Sequence, residues 1–115
     1  MYQIQNLTSG ARQKQNLVLP DGTTIQINLR FSPMQYGWFL TSLVYGDFVL
    51  NGVRIVNSPN MLHQWRNKIP FGLACFSAHD REPSLQKDFS SGSSKLYVLS
   101  EAEVAQYTEF LNGQI

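Results

Sequence analysis

The side chains best equipped for chemistry are Cys75, Ser77 and His79, which alternate along one run and would share a strand face as nucleophile and base. Spacing argues against that use. At about 3.3 Å per residue a strand holds positions 75 and 79 roughly 13 Å apart, well beyond hydrogen-bond reach. A buried, inert thiol beside a loop-edge histidine is the plainer reading, and a cysteine hydrolase ranks far behind it. A zinc site would have to recruit Cys75, His63, His79 and a carboxylate without any of the paired spacings that bring ligands together. Glu101 and Glu103 diverge by roughly 200° on a helix, and Asp80 and Glu82 fall in a polar stretch with no desolvating neighbours. Gly92-Ser93-Ser94-Lys95 superficially matches the end of a phosphate-binding loop, but its lysine follows the hydroxyl residue and leads into a strand. No catalytic residue, metal ligand or cofactor is predicted, and the chain reads as a non-enzyme.

A binding function is the other possibility. Tyr36, Trp38 and Tyr45 with Arg30, Arg54 and Arg66 could line a groove for single-stranded nucleic acid, since aromatic faces stack bases and cations follow phosphates. Ordinary core aromatics and scattered surface charge explain the same residues. A small oligonucleotide-binding barrel therefore stands as the alternative function, separable by a salt-dependent gel shift with single-stranded DNA.

Composition points to assembly rather than steering. Nine Lys plus Arg against eight Asp plus Glu give a net charge of +1, so no long-range field selects phosphate backbones or anionic lipid. Only 15% of residues are charged, which is sparse for a free monomer and fits a surface partly covered by neighbours, although uncharged polar residues are plentiful. At 43% apolar and 115 residues the chain can bury one modest core, so a single domain over 1–115 is expected. The sole cysteine allows no internal disulfide and suits a reducing compartment. The first residues lack a basic start followed by an apolar run, and nowhere do about 18 apolar residues run together, so neither secretion nor stable membrane insertion is signalled.

The elements that must carry any surface are mostly strands. Ile25, Ile27, Leu29 and Phe31 alternate with polar residues, the mark of a half-buried strand, and residues 15–31 read as a hairpin turning at Pro20 to Thr23. A turn over Ser32 to Gly37 precedes a strand over Trp38 to Tyr45. Asn51-Gly52 between Phe48–Leu50 and Val53–Val56 predicts a hairpin with a type I′ turn. Met61, Leu62 and Trp65 recur at a spacing compatible with one short helix near residues 60–67. Leu73 to Ala78 suits a buried strand, and His79 to Ser94 is a polar loop of 16 residues. Lys95 to Leu99 is the last strand. Ser100 and Glu103 form a capping box opening a helix over 101–111, with Val104, Tyr107, Phe110 and Leu111 as its apolar stripe and Gly113 as its stop. The expected fold is mainly β, a small antiparallel β-sandwich or barrel-like domain with a C-terminal α-helix.

One resemblance runs through residues 23–99. The alternating strand, Gly37-Trp38-Phe39-Leu40, Leu50-Asn51-Gly52-Val53, Asn60-Met61-Leu62, Phe71-Gly72-Leu73 and the closing Lys95-Leu96-Tyr97-Val98-Leu99 together resemble the small baseplate plug proteins of contractile-tailed phages. It covers roughly two thirds of the chain, in order, and leaves out residues 102–115. The resemblance implies a structural virion protein of the tail baseplate, assembled in the bacterial host cytoplasm, near the junction of central hub and tail tube. It implies several copies around the tail axis, contacts with hub, tail-tube or tube-initiator and wedge proteins, no cofactor and no specific nucleic-acid sequence.

Segments outside the apparent core pattern are free to hold partners. Candidate interface residues are Gln35 and Tyr36 in the second turn, His79, Arg81, Gln86 and Phe89 in the long loop, and Gln106 and Glu109 on the outer face of the helix. The loop, poor in apolar residues, is expected to order mainly through neighbours.

Overall fold

A computed structural model describes residues 2–5, 7–19, 22–78 and 82–112 of the chain. Strands β1 (Tyr2–Gln3), β7 (Gly72–Ser77) and β8 (Ser94–Leu99) form one antiparallel sheet with β8 in the middle. Strands β2 (Arg12–Val18), β3 (Thr24–Ser32), β4 (Gly37–Tyr45), β5 (Phe48–Leu50) and β6 (Val53–Arg54) form the other, with β3 and β4 at its centre. Alternation does the sorting: Ile25, Ile27, Leu29 and Phe31 all turn inward, where they share a core with Leu73, Cys75, Leu96 and Val98 of the smaller sheet. The two sheets stay separate, so the fold is the open sandwich and not the barrel.

A third layer covers the other face of the smaller sheet. Helix α1 (Glu101–Asn112) buries Val104 on Ala74 and Leu99, with Tyr97 packed alongside. Its capping box is closed in both directions: the Ser100 amide donates to Glu103 Oε1 at 3.0 Å and the Glu103 amide to Ser100 Oγ at 3.3 Å. The predicted apolar stripe docks only at its start. Tyr107 meets the His63 ring edge-on at 5.5 Å, whereas Phe110 is 61% exposed. The Leu111 side chain and Gly113 lie outside the described residues. The short helix is a 3-10 turn over His63–Trp65, with Leu62 buried before it.

The Asn51-Gly52 hairpin is not formed. Residues β4 pairs with β5 as Leu43↔Leu50, Val44↔Val49 and Tyr45↔Phe48, and with β6 as Leu40↔Val53 and Phe39↔Arg54, all in one register. Thus β5 and β6 are halves of a single edge strand interrupted at Asn51-Gly52. The cause lies across the pair: β4 bulges between its partners of Asn28 and Leu29, leaving Thr41 as the extra residue opposite the gap, its hydroxyl donating to the Asn28 carbonyl at 3.1 Å. The tight hairpin is one step earlier, at Gly46-Asp47, with φ of 56° at Gly46.

Substitution separates the two readings. Gly52 has φ of 73° while Asn51 is not left-handed. Gly52→Val is expected to cost about 1–2 kcal/mol and Asn51→Val less than about 0.5 kcal/mol in urea unfolding, whereas a type I′ turn would penalise both.

The remaining edge of β7 is lined by residues 57–61. Ser58 and Cys75 exchange two backbone hydrogen bonds at 3.0 Å, and the Met61 amide donates to the Leu73 carbonyl at 2.7 Å. Buried Asn60 fixes this junction, its Oδ1 accepting from the Leu62 amide at 3.0 Å and the Leu73 amide at 3.3 Å. Gly72 makes room for it: a Cβ there would lie 2.6 Å from Asn60 Oδ1.

Candidate interaction surfaces

Cys75 points into the sandwich core, and burial pushes its thiol up to about 12. Its sulfur faces the Asn57 side-chain oxygen at 3.8 Å, and the Ser77 hydroxyl is engaged with Ser94 Oγ at 2.7 Å. A thiol that stays protonated inside an apolar core is a poor nucleophile and a poor metal ligand. Among the described residues no three His, Cys, Asp or Glu side chains gather as a metal cluster.

The nucleic-acid groove is not assembled either. Trp38 is 0% exposed, its ring wedged between Phe31 at 5.5 Å and Phe89 at 5.4 Å, and half-buried Tyr45 packs edge-on against Phe71. Neither ring can stack a base. Arg54 is held by its own chain, as described below.

The described part of the long loop, residues 82–93, folds onto the sandwich. Phe89, only 6% exposed, is a core residue and offers no side-chain surface to a partner. Buried Asp88 accepts the Ser84 and Leu85 amides at 2.9 and 2.8 Å, and the Trp38 indole donates to the Leu85 carbonyl at 3.1 Å. Glu82 accepts the Asn57 amide at 2.6 Å, and Gln86 donates to the Ser9 carbonyl at 2.7 Å. For residues 82–93 the expectation that neighbours order the loop is thereby corrected: one aromatic anchor and one buried carboxylate pin them. Sequence reading missed them because the serines around them set the average polarity. His79 and Arg81 lie outside the described residues.

These contacts gather several segments at one end of the sandwich. Trp38 carries Leu85, Gln86 carries Ser9, and the Phe31 amide donates to the Ala11 carbonyl at 2.8 Å, so the loop and residues 9–11 flank the β3–β4 turn. Gln35, Tyr36 and Gln86 therefore share this end, whereas Gln106 and Glu109 sit on α1 over the outer face of the smaller sheet. Met34, at 92% exposed, and the partly exposed Leu85 join the first group, both unanticipated from sequence.

The β3–β4 turn is a built feature. Tyr36 is the only left-handed non-glycine among the described residues, at φ of 48°, yet its side chain is 69% exposed. Arg54 holds it there, donating from Nη2 to the Gln35 and Tyr36 carbonyls at 3.3 Å while its guanidinium lies 5.5 Å over the Phe39 ring. Buried Gly37 admits that guanidinium, which sits 2.6 Å from where a Cβ would be. The result is a rigid tip displaying Met34, Gln35 and Tyr36, and rigid exposed aromatic groups with pre-set geometry are the usual anchors of protein interfaces.

A model of the family described as cyanophage baseplate Pam3 plug gp18 matches residues 1–101. The chain belongs to this baseplate plug family. It is accordingly a structural phage protein of the virion tail, not an enzyme, working through contacts with other baseplate components. No curated protein matches the chain. The match takes in β1 and β2, which the resemblance over 23–99 left out, and ends where α1 begins. The segments that carry the resemblance are structural. Asn60-Met61-Leu62 and Phe71-Gly72-Leu73 meet at the Asn60–Gly72 junction, and Gly37-Trp38-Phe39-Leu40 supplies the guanidinium seat and the core tryptophan. Among the described residues no helix is long and apolar enough to cross a membrane.

Proposed function

We propose that this plug protein occupies the junction of central hub and tail tube in a contractile tail, in several copies around the tail axis. Its neighbours there are hub, tail-tube or tube-initiator and wedge proteins, joined to it in the host cytoplasm during assembly. On this reading the chain is one cooperative domain, and the end bearing Gln35, Tyr36 and Gln86 seats against a partner, with Gln106 and Glu109 as a second contact. The observation that carries the reading is Tyr36: a strained backbone at an exposed, side-chain-pinned tip is kept where it serves recognition. Around an axis, weak contacts multiply through effective concentration.

Tyr36→Asp tests it. The substituted monomer should melt within a degree or two of wild type, because the side chain is exposed, while incorporation into baseplates falls by at least about tenfold as a desolvated charge opposes the contact. Normal baseplates carrying the mutant protein at full occupancy would remove Tyr36 from the interface, and normal tails lacking the protein altogether would defeat the plug role.

A further inference from the structure

The outer face of the larger sheet has an unbalanced charge pattern. Its strands carry four cations, Arg12, Lys14, Arg30 and Arg54, all exposed, and contain no Asp or Glu. Three of them form one row across the sheet: Arg12 is paired directly with Arg30, Arg30 with Phe39, and Phe39 with Arg54. Like charges directly opposite one another on a sheet are destabilising, so Arg12 against Arg30 works against the isolated fold. A chain with net charge of only +1 keeps four cations on these strands, and the described acid of this sheet, Asp47, sits in the β4–β5 turn rather than on a strand.

Three of the chain's eight acids lie in the layer at the other side of the molecule. Helix α1 bears Glu101, Glu103 and Glu109 and no Lys or Arg. Glu103 is engaged in the capping box, but Glu101 and Glu109 are exposed and lie within about 80° of each other around the helix. Eight residues of helix separate them by about 12 Å. With strands about 4.8 Å apart, the Arg54 backbone lies about 10 Å from that of Arg30 and about 14 Å from that of Arg12, a spacing comparable to that of the two glutamates along the helix. Because the Arg54 guanidinium is shared with the Gln35 and Tyr36 carbonyls, Arg12 and Arg30 are the principal cations of the row. Arg66, across the groove from these glutamates, donates Nη1 to the His63 carbonyl at 3.0 Å.

We propose that two copies of this chain associate head to tail, the exposed face of α1 of one copy lying across the Arg12–Arg30–Arg54 row of the next. The two surfaces are different and sit on opposite outer layers, so the contact is heterologous and leaves a free half at each end, able to close a ring or continue. Helix α1 begins where the family match stops, so the match does not account for this pairing. A single-stranded polyanion is the less suited occupant, since the row's one ring, Phe39, already has Arg54 over it.

Sedimentation velocity of the full-length purified protein tests this without reference to the baseplate role, which survives if the pairing fails. Wild type should show concentration-dependent growth beyond the monomer at about 0.03 M salt that disappears near 1 M, where screening acts within about 3 Å. Arg30→Glu, which also gives Arg12 an internal partner, and Glu109→Arg should each weaken association by about tenfold or more. Mixed together, the neutral variants Arg30→Gln and Glu109→Gln, which leave no reversed charges to pair with each other, should form a species that stops at a heterodimer, because each keeps the half the other has lost. Wild type that stays monomeric at low salt, or a mixture that behaves as the sum of its parts, would overturn the proposal. So would low-salt wild type whose growth is unchanged by both substitutions, or a monomer that instead binds single-stranded DNA with Arg30-dependent, salt-sensitive affinity.

Discussion

Trp38→Ala is expected to destabilise the protein by about 3–5 kcal/mol, the range for removing a fully buried large aromatic side chain. Trp38 is the largest fully buried side chain, in contact with Phe31 and Phe89 from two different parts of the chain, and its indole satisfies the Leu85 carbonyl. Truncation would therefore open a cavity and remove one of two donors to the Leu85 carbonyl, which keeps the Asp88 amide at 3.1 Å. Trp38→Phe retains much of the packing and loses the donor, so urea unfolding should place it at a smaller loss, about 1–2 kcal/mol. Local consequences should be visible before global ones. Lys87 sits on the exposed side of the loop that Trp38 anchors, and tryptic cleavage after Lys87 should rise in Trp38→Ala under conditions where the sandwich is still folded. Equal cleavage in wild type and mutant would mean that Asp88 and its turn, not the tryptophan, hold the loop.

That loop also shows where sequence reading stops. Period-two alternation placed the strand around Ile25 to Phe31 correctly because alternation is a local consequence of having one face in a core, and the Ser100–Glu103 box placed the helix start because capping is settled within four residues. Phe89 acts across a long separation and Asp88 closes a local turn, and nothing in their immediate neighbours announces a ring aimed at Trp38 or a buried carboxylate in so polar a stretch. Asn51-Gly52 failed for a related reason. The dipeptide permits a tight turn, but a bulge at Thr41 on the adjacent strand fits an interruption there, and a bulge is set by pairing rather than by local composition.

The interaction surfaces were legible only in part. Gln35 and Tyr36 stand out in the sequence because a turn breaks the core pattern, yet the feature that makes the turn distinctive is the Arg54 guanidinium seated over Gly37, contributed from 17 residues further along the chain. The arginine row is likewise spread over three strands, and its members look like scattered surface charge until pairing aligns them. Two of the segments that carry the resemblance, at Gly37 and Gly72, hold glycines against which the Arg54 and Asn60 side chains pack closely.

The Asn60–Gly72 junction gives the second large effect. Gly72→Ala would place a methyl carbon 2.6 Å from Asn60 Oδ1 and 2.8 Å from its Cγ, inside any tolerated contact. Asn60 is buried and cannot swing into solvent without abandoning the Leu62 and Leu73 amides, and with them the edge on which residues 57–61 pair with β7. Overpacking of this kind costs about 1–3 kcal/mol, and each amide left unsatisfied adds about 1–3 kcal/mol, so a loss of about 3 kcal/mol or more is expected in urea unfolding. Asn60→Ala alone should be costly for the same two amides, but it empties the space that the new methyl needs. In that background Gly72→Ala should add less than about 1 kcal/mol, a strong coupling between the two positions in a double-mutant cycle. Additive losses would show that Gly72 is required for its own backbone conformation and not as the cavity for Asn60, and the junction would then be two independent constraints instead of one.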